Sequence, residues 1–447
     1  MTTAAGRAYA PVPDDFDLPR NDANFAQLSP LAYLDRAAVA FAHRPAIVYG
    51  ARRHSYLEMH GRCRRAAAGL AALGVRRGDV VAVLAPNTPM MLEAHYAVPM
   101  LGAVVNPLNT RLDAAAIGFI LAHGGAKVLM VDAELAPLAA AAIATLERPP
   151  RVVDCADAAA PDAAPIGEIE YEDMIAAADP GFQPPPLDDE WRSLSLLYTS
   201  GTTGDPKGVV FSHRGGHLTS LSNAAAFALD ARSVYLWTLP MFHCNGWCYT
   251  WAVTSSGGAH VCMRGVDPAE VFRLISAEGV THMCGAPIVI SMMLNAPEAQ
   301  PIARARPVKF CTGGAPPPSA VIAAMERLNF DVLHMYGLTE TYGPSHGQFP
   351  NASWDALSTE ETYARQARQG VSTASVLDYA VVDADTLAPL PKDGETLGEL
   401  AIRGNTTMKG YLKNPDATAR VMRGDLSHVR RAQRRRAAAR STPAVTT

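Results

Sequence analysis

The sequence lacks any long uninterrupted apolar run, and no apolar segment follows Met1–Arg7, where Pro11, Pro13 and Pro19 come instead. A membrane-spanning helix needs about 20 consecutive apolar residues, and a secretory signal needs an apolar stretch behind a basic start. We therefore expect no integral membrane segment, no signal peptide and a cytoplasmic protein.

Paired Cys-x-x-Cys motifs are also missing, because the seven cysteines are scattered along the chain. This excludes a small disulfide scaffold and a tetrahedral zinc site, and it favours a compartment that keeps thiols reduced. The net charge of −4 argues against a nucleic-acid-binding protein. Apolar residues make up 49% of the 447, enough for a large core and more than one subdomain.

The most informative segment is YTSGTTGDPKG at 198–208, which follows the apolar run Leu194–Leu197 that predicts a strand. Its glycines let backbone N–H groups converge on an anion, while its hydroxyl groups add donors and Lys207 adds positive charge. The Walker A loop needs Gly-Lys followed by Ser or Thr, and that order is absent. We therefore predict a phosphate cradle of another kind; the alternative is a surface loop that binds nothing.

This segment resembles the signature loop of the AMP-forming acyl-adenylating enzymes, which include acyl-CoA synthetases, luciferases and peptide-synthetase adenylation domains. Further segments match the superfamily in its own order: PMFHCNGWC at 240–248, TGGAP at 312–316, MYGLTE at 335–340, LGELAIRG at 397–404 and MKGYLKNP at 408–415. The resemblance extends from about Leu31 to about Met422. Within the superfamily, the segments are most similar to short/medium-chain or methylthio-acid CoA ligases, and plant peroxisomal aromatic-acid ligases share similar segments.

The resemblance implies a site for ATP with Mg²⁺, in which Tyr336 stacks on adenine and Glu340 and Thr202 hold the metal. His243 and Trp247 would bind the carboxylate substrate. The residues implied for catalysis are Thr202, Lys207, Glu340 and His243. Those implied for ATP are Thr199, Ser200, Gly201, Thr202, Thr203, Gly204, Lys207, Gly313, Gly314, Ala315, Pro316, Tyr336, Gly337, Thr339 and Asp425.

The order of predicted elements indicates an α/β fold. A strand at 78–85, a helix reaching Met100 and a strand at 103–106 form a strand–helix–strand unit, the sign of a parallel sheet. Residues 155–190 are predicted to be a surface excursion. Further predicted elements are a strand at 234–239 and helices at 268–277 and 287–294. The resemblance implies the large N-terminal domain of the acyl-adenylating fold, with two layered α/β subdomains and a small β subdomain over about 371–404.

Three regions are predicted: a flexible lead-in at 1–28, the adenylation domain at 29–422, and a basic, disordered tail at 423–447. The tail is rich in Ala and Arg. It could be a disordered, solvated end, or it could bind nucleic acid or an anionic membrane. We favour a third explanation, that its sequence comes from a shifted reading frame. We expect the superfamily's C-terminal domain of roughly 100 residues to be missing. Adenylation would then be weakened and thioester formation weakened more.

The predicted function is ATP-dependent activation of a carboxylic acid to acyl-AMP and then to acyl-CoA, with CoA as co-substrate. The partners expected are a small carboxylic acid and CoA, with no nucleic acid, and a homodimer is left open as the assembly. The alternative is a non-catalytic remnant that binds ATP or an acyl group. Pyrophosphate release on addition of acid separates the two.

Overall fold

The computed structural model describes residues 18–199, 206–391, 393 and 396–423, and the backbone of residues 426–427 and 435–436. Some predicted features lie outside these ranges: the predicted ATP-binding residues 200–204 and Asp425, and most of the lead-in and tail. In the described part of the chain, no helix is long and apolar enough to cross a membrane.

Strands in the described ranges form three sheets. They are, in chain order, β1 (Pro45–Tyr49), β2 (Arg52–Ser55), β3 (Val80–Leu84), β4 (Val104–Pro107), β5 (Ala126–Asp132), β6 (Arg151–Cys155), β7 (Ile169–Glu170), β8 (Ser193–Thr199), β9 (Lys207–Ser212), β10 (Val234–Leu236), β11 (Ala259–Val261), β12 (His282–Gly285), β13 (Val308–Thr312), β14 (Phe330–Leu338), β15 (Gly343–Gly347), β16 (Val371–Ser372), β17 (Val376–Val382), β18 (Leu397–Gly404), β19 (Gly410–Tyr411), β20 (Met422–Arg423), β21 (Leu426–Ser427) and β22 (Arg435–Arg436).

Helices cover the two larger sheets. They are α1 (Leu31–Ala40), α2 (Tyr56–Ala72), α3 (Pro89–Met100), α4 (Ala114–Gly124), α5 (Ala136–Ile143), α6 (Tyr171–Ala177), α7 (His213–Ala226), α8 (Cys244–Trp247), α9 (Tyr249–Ser256), α10 (Pro268–Ala277), α11 (Pro287–Leu294), α12 (Ser319–Arg327), α13 (Thr359–Gln366) and α14 (Pro415–Val421), with 3₁₀ turns at Ala133–Leu135, Thr339–Thr341 and Ala352–Trp354.

The first large sheet has the strand order β19-β9-β8-β4-β3-β5-β6-β7 among the described residues. Its strands from β8 to β7 run parallel. At one edge β9 runs antiparallel to β8, and β19 runs antiparallel to β9. β3 reads VVAVL and is almost wholly buried, as expected for a parallel strand covered on both faces.

The second large sheet has the order β16-β15-β14-β13-β12-β10-β11-β1-β2, parallel from β14 to β1 and antiparallel at both ends. A small sheet, built on the β17–β18 ladder, contains the described tail segments β21 and β22, which both pair with β18. The two α/β layers and the small β subdomain predicted from the sequence are therefore present.

The two large sheets share one hydrophobic core, to which Val83 of the first and Tyr235 of the second both belong. A polar contact also ties them together. Arg264, just after β11, donates to the Asp132 carboxylate at the end of β5 at 2.6 Å, and to Asp157 at 2.8 Å. Arg264 and both carboxylates are largely buried, so the charges must compensate one another.

Two sequence expectations need correction. Residues 155–190 do not form a mere surface excursion, because α6 lies there and its Tyr171 is buried, donating from its hydroxyl to Glu93 at 2.8 Å. The strand predicted over 234–239 ends at Leu236 instead, because the following backbone bends and the Trp237 and Leu239 carbonyls accept from the Asn87 side chain. Both differences arise from contacts with residues distant in sequence.

Candidate active site

The residues that flank the predicted phosphate loop form a β-hairpin. β8 ends at Thr199 and β9 begins at Lys207, and these two residues pair directly in the antiparallel ladder. β8 also runs parallel to β4, so the chain leaves it at the carboxyl edge of the sheet, where α/β proteins commonly bind ligands. A Walker A loop leads into a helix, whereas this segment returns into a strand.

Tyr411 connects two of the predicted ATP-site side chains. Its hydroxyl donates to Oε1 of Glu340 at 2.8 Å, and the ammonium of Lys207 lies 5.3 Å from the centre of its ring. Burial, and then the Glu340 carboxylate, raise the pKa of Tyr411 well above its usual range, so the hydroxyl remains a donor. The site therefore holds a carboxylate and an ammonium group on opposite parts of one aromatic side chain.

Thr339 lies beside the predicted acid-binding segment. Its Oγ1 is 3.7 Å from the Cys244 sulfur, and Thr339 and Cys244 line a cavity of about 50 Å³ with His243. His243 itself is exposed, whereas Cys244 is buried. Burial raises the pKa of the Cys244 thiol to about 12, which favours the neutral thiol over the reactive thiolate.

Trp247 packs against the predicted adenine-lining segment. It is 6% exposed, and a Cβ placed on Gly313 would lie 2.9 Å from its ring and 2.8 Å from the Met335 carbonyl oxygen, so only glycine fits there. Residues 314–316 follow and are exposed. Tyr336, next to Met335 on β14, is half-buried. The GGAP and YGLTE segments and the predicted acid-binding segment thus meet at Trp247.

Gly337 occupies a position with no room for a side chain. A Cβ there would lie 1.8 Å from the carbonyl oxygen of Gly343, on the neighbouring strand β15. This close approach lets β14 turn sharply into the 3₁₀ turn that carries Thr339 and Glu340. The glycine of the YGLTE motif is therefore required by backbone contact within the described residues.

A cavity in the described ranges lies away from these motifs. It measures about 370 Å³ and lies between α1, α2 and residues 183–187, with Gly102 and Arg192 near the amino ends of β4 and β8. The predicted site residues are at the opposite, carboxyl ends of those strands. We therefore place the candidate site where the motifs converge rather than in this cavity.

The chain is similar to known proteins over most of its length. Residues 34–412 match the AMP-binding enzyme family. An acetate–CoA ligase from Humulus lupulus is 45% identical over 414 residues, which cover 90% of this chain and 73% of that protein. A peroxisomal benzoate–CoA ligase from Arabidopsis thaliana is 41% identical over 414 residues, 90% of this chain and 71% of the relative.

The chain belongs to the AMP-binding enzyme family. Among solved structures, the inhibitor-bound N-terminal domain of FACL13 from Mycobacterium tuberculosis is similar, with a TM-score of 0.77 and 29% identity, over 90% of this chain and 95% of that domain. These similarities confirm the predicted acyl-adenylating fold and the prediction of an AMP-forming acid–thiol ligase. The roles predicted for individual residues remain predictions.

The structure also brings to the site two residues to which the sequence motifs assign no role. Tyr411 belongs to the MKGYLKNP segment, which predicts no role for it. In the structure its hydroxyl is the hydrogen-bond partner of Glu340. Cys244, in the PMFHCNGWC segment, contacts Thr339. No cluster of metal-binding side chains occurs in the described ranges. The sequence signal for Tyr411 is its aromatic side chain within the MKGYLKNP segment.

Proposed function

We propose that this AMP-binding enzyme joins a short-chain carboxylic acid to ATP, giving acyl-AMP and pyrophosphate, and then transfers the acyl group to CoA. The observation that best supports this is the arrangement around Tyr411. It connects Lys207, at the start of β9, with Glu340, which follows Thr339 in the 3₁₀ turn. The ammonium group proposed to bind phosphate therefore lies beside the Tyr411 ring, and the carboxylate proposed to bind a metal accepts from the hydroxyl of the same side chain.

The proposed first step is in-line substitution at phosphorus. A carboxylate oxygen of the acid bonds to the α-phosphorus of ATP while the bond to the bridging oxygen breaks and pyrophosphate leaves. Such reactions depend mainly on positioning and on stabilisation of negative charge. Lys207 would stabilise charge on the phosphates, Thr339 would donate to phosphate, and His243 would orient the acid at the cavity.

Glu340 suits a bound Mg²⁺, since hard carboxylate oxygens are the ligands this ion prefers. Among the described residues only its Oε1 has a hydrogen-bond partner, so Oε2 is available to the ion. Thr202 is the second ligand in this proposal. When bound, Mg²⁺ would neutralise charge on the phosphates of ATP.

In the second proposed step, the sulfur of CoA bonds to the acyl carbon and the bond to the AMP oxygen breaks. The thiol loses its proton, and AMP leaves with the oxygen that came from the acid. The neutral, buried Cys244 is not expected to form an acyl intermediate in this scheme.

The names of the relatives support a small monocarboxylic acid as substrate. They include an acetate–CoA ligase, an acetate/butyrate–CoA ligase and a benzoate–CoA ligase. We therefore propose a short aliphatic acid, with a benzoic acid as the second candidate. A cytoplasmic location and a homodimer stay predictions, and two of these relatives are named peroxisomal.

The test is acid-dependent exchange of labelled pyrophosphate into ATP, with acetate, butanoate, octanoate and benzoate compared. Exchange is expected with at least one small acid, and E340Q is expected to lower it by about tenfold or more, as losses at metal-site residues commonly do. E326Q is the matched control, because Glu326 also accepts from a tyrosine hydroxyl but lies in α12, outside the motif segments.

Absence of exchange with every acid would contradict the proposed activity. Binding of ATP without exchange, measured by calorimetry, would instead favour the non-catalytic alternative. Equal loss in E340Q and E326Q would contradict the role given to Glu340 while leaving the activity itself intact.

A further inference from the structure

The segment that joins His243 to α9 has an unusual backbone. From Cys244 to Cys248, five consecutive residues have φ between +45° and +61°, and only Gly246 among them lacks a side chain. L-residues rarely adopt this left-handed conformation, and usually only singly. The surrounding structure must therefore impose it, and such strain is found most often at functional sites.

Asn245, in the middle of this left-handed turn, is held by its side chain and by its backbone. Its Oδ1 accepts a hydrogen bond from the Tyr342 hydroxyl at 3.1 Å, and its carbonyl accepts from the Thr250 hydroxyl at 3.1 Å. Two residues later, the Trp247 carbonyl accepts from the Asn223 amide at 2.9 Å. All of these groups are buried, so water does not compete for them.

Tyr342 is itself fixed from several sides. Its ring stacks on Phe211 with 3.8 Å between centroids and 6° between planes, and its backbone φ is +61°. Its hydroxyl lies 2.8 Å from the Ser195 hydroxyl. Because the single tyrosine proton is donated to Asn245, Ser195 is the donor in this second bond.

One hydroxyl group therefore connects three parts of the candidate site. Ser195 lies on β8, which leads into the predicted phosphate loop. Tyr342 directly follows the 3₁₀ turn that contains Thr339 and Glu340, and Asn245 lies two residues after His243. A change at this hydroxyl would alter the position of the acid-binding segment relative to the ATP-binding segments.

We propose that Tyr342 and Asn245 are positioning residues, which hold the left-handed turn so that His243 and Trp247 face an acid activated beside Thr339. This rests on the proposed function, because it assigns the acid to the His243 segment. Neither residue needs to touch ATP. Loss of their hydrogen bond should weaken binding of the acyl part of the intermediate and leave the nucleotide part unaffected.

The test uses two ligands and no turnover. AMP reports the nucleotide part alone, and butanoyl-sulfamoyladenosine, a non-hydrolysable mimic of acyl-AMP, reports both parts. Calorimetry gives a Kd for each with the parent chain, Y342F, N245G and the double variant. Glycine adopts positive φ freely, so N245G removes the hydrogen bond without adding backbone strain. The Asn245 Nδ2 has no partner among the described residues, so its removal sacrifices no further bond there.

We expect Y342F and N245G each to raise the Kd for the acyl-adenylate mimic by about tenfold, the usual effect of losing one buried hydrogen bond. The Kd for AMP should change less than twofold. The double variant should be no worse than Y342F alone, because Y342F already removes the bond to Asn245 together with the bond to Ser195. The matched control is Y56F, since Tyr56 is also fully buried and donates to a backbone carbonyl, that of Gly258, away from the motifs.

Three results would overturn the inference. One is an equal rise in the Kd for AMP and in the Kd for the mimic, which would indicate a general structural defect. Another is a mimic affinity in Y342F and N245G no lower than in Y56F. The third is additive losses in the double variant. If the parent chain binds AMP but not the mimic, the proposed function itself fails, because no acyl site exists beside the nucleotide.

Discussion

Replacement of Tyr411 by Phe is expected to reduce the apparent affinity for Mg²⁺. The substitution removes one hydroxyl, which donates to the Glu340 carboxylate at 2.8 Å from a position that is only 9% exposed. A hydrogen bond to a charged group contributes about 1.5–3 kcal/mol, and loss of a partner that orients a metal ligand typically costs roughly 10–100-fold. The free-energy range and the range of affinity loss agree, because about 1.4 kcal/mol corresponds to a tenfold change in affinity. The phenylalanine ring still packs beside Lys207, so the cation–π contact is retained.

The assay is pyrophosphate exchange at fixed ATP, with Mg²⁺ varied over three orders of magnitude. Y411F should shift the half-saturating Mg²⁺ concentration upward by about 10–100-fold. Y363F is the matched control, since Tyr363 donates to Glu326 at 2.6 Å in an exposed pair. If Y411F and Y363F give the same Mg²⁺ curve, Glu340 is not a metal ligand held by Tyr411, and the reasoning fails.

Three further predictions concern stability. R264M leaves the buried Asp132 carboxylate without its partner, so a loss of about 3–5 kcal/mol is expected in urea unfolding, and addition of D132N should restore part of it. Burial lowers the pKa of His260 to about 3, so below about pH 6.5 the unfolded state binds a proton that the folded state does not. The free energy of unfolding, measured at each pH, should therefore fall as the pH drops below about 6.5, and it should fall less steeply in H260Q. G337A places a Cβ 1.8 Å from a β15 carbonyl oxygen and should lower the melting temperature sharply, whereas G61A, on the surface of α2, should not.

Much of the fold follows from local sequence pattern. The bounds of α10 and α11 agree with the predicted 268–277 and 287–294, because each begins with a proline at its first turn and has an apolar face to bury. α6 was missed, since it owes its position to Tyr171 and its bond with Glu93, 78 residues away. Local periodicity carries no information about such a contact.

The same distinction applies to the site. The segments that contain Lys207 and Glu340 could be singled out from the sequence because they resemble those of the superfamily, and the structure brings both side chains to Tyr411. Tyr411 and Tyr342 could not, because their roles depend on partners 71 and 97 residues away, Glu340 and Asn245. The left-handed turn at Cys244–Cys248 was equally invisible, since only one of its five residues is a glycine.

The central claim is that the acid attacks the α-phosphorus of ATP, and the fate of the acid's oxygen tests it most directly. The chain would be incubated with ATP, Mg²⁺, CoA and butanoate labelled with ¹⁸O in its carboxylate, and the nucleotide product analysed by mass spectrometry. The account predicts AMP that carries one labelled oxygen, because the acid's oxygen stays on phosphorus when the acyl group leaves. Formation of ADP with label in inorganic phosphate, or AMP without label, would contradict it.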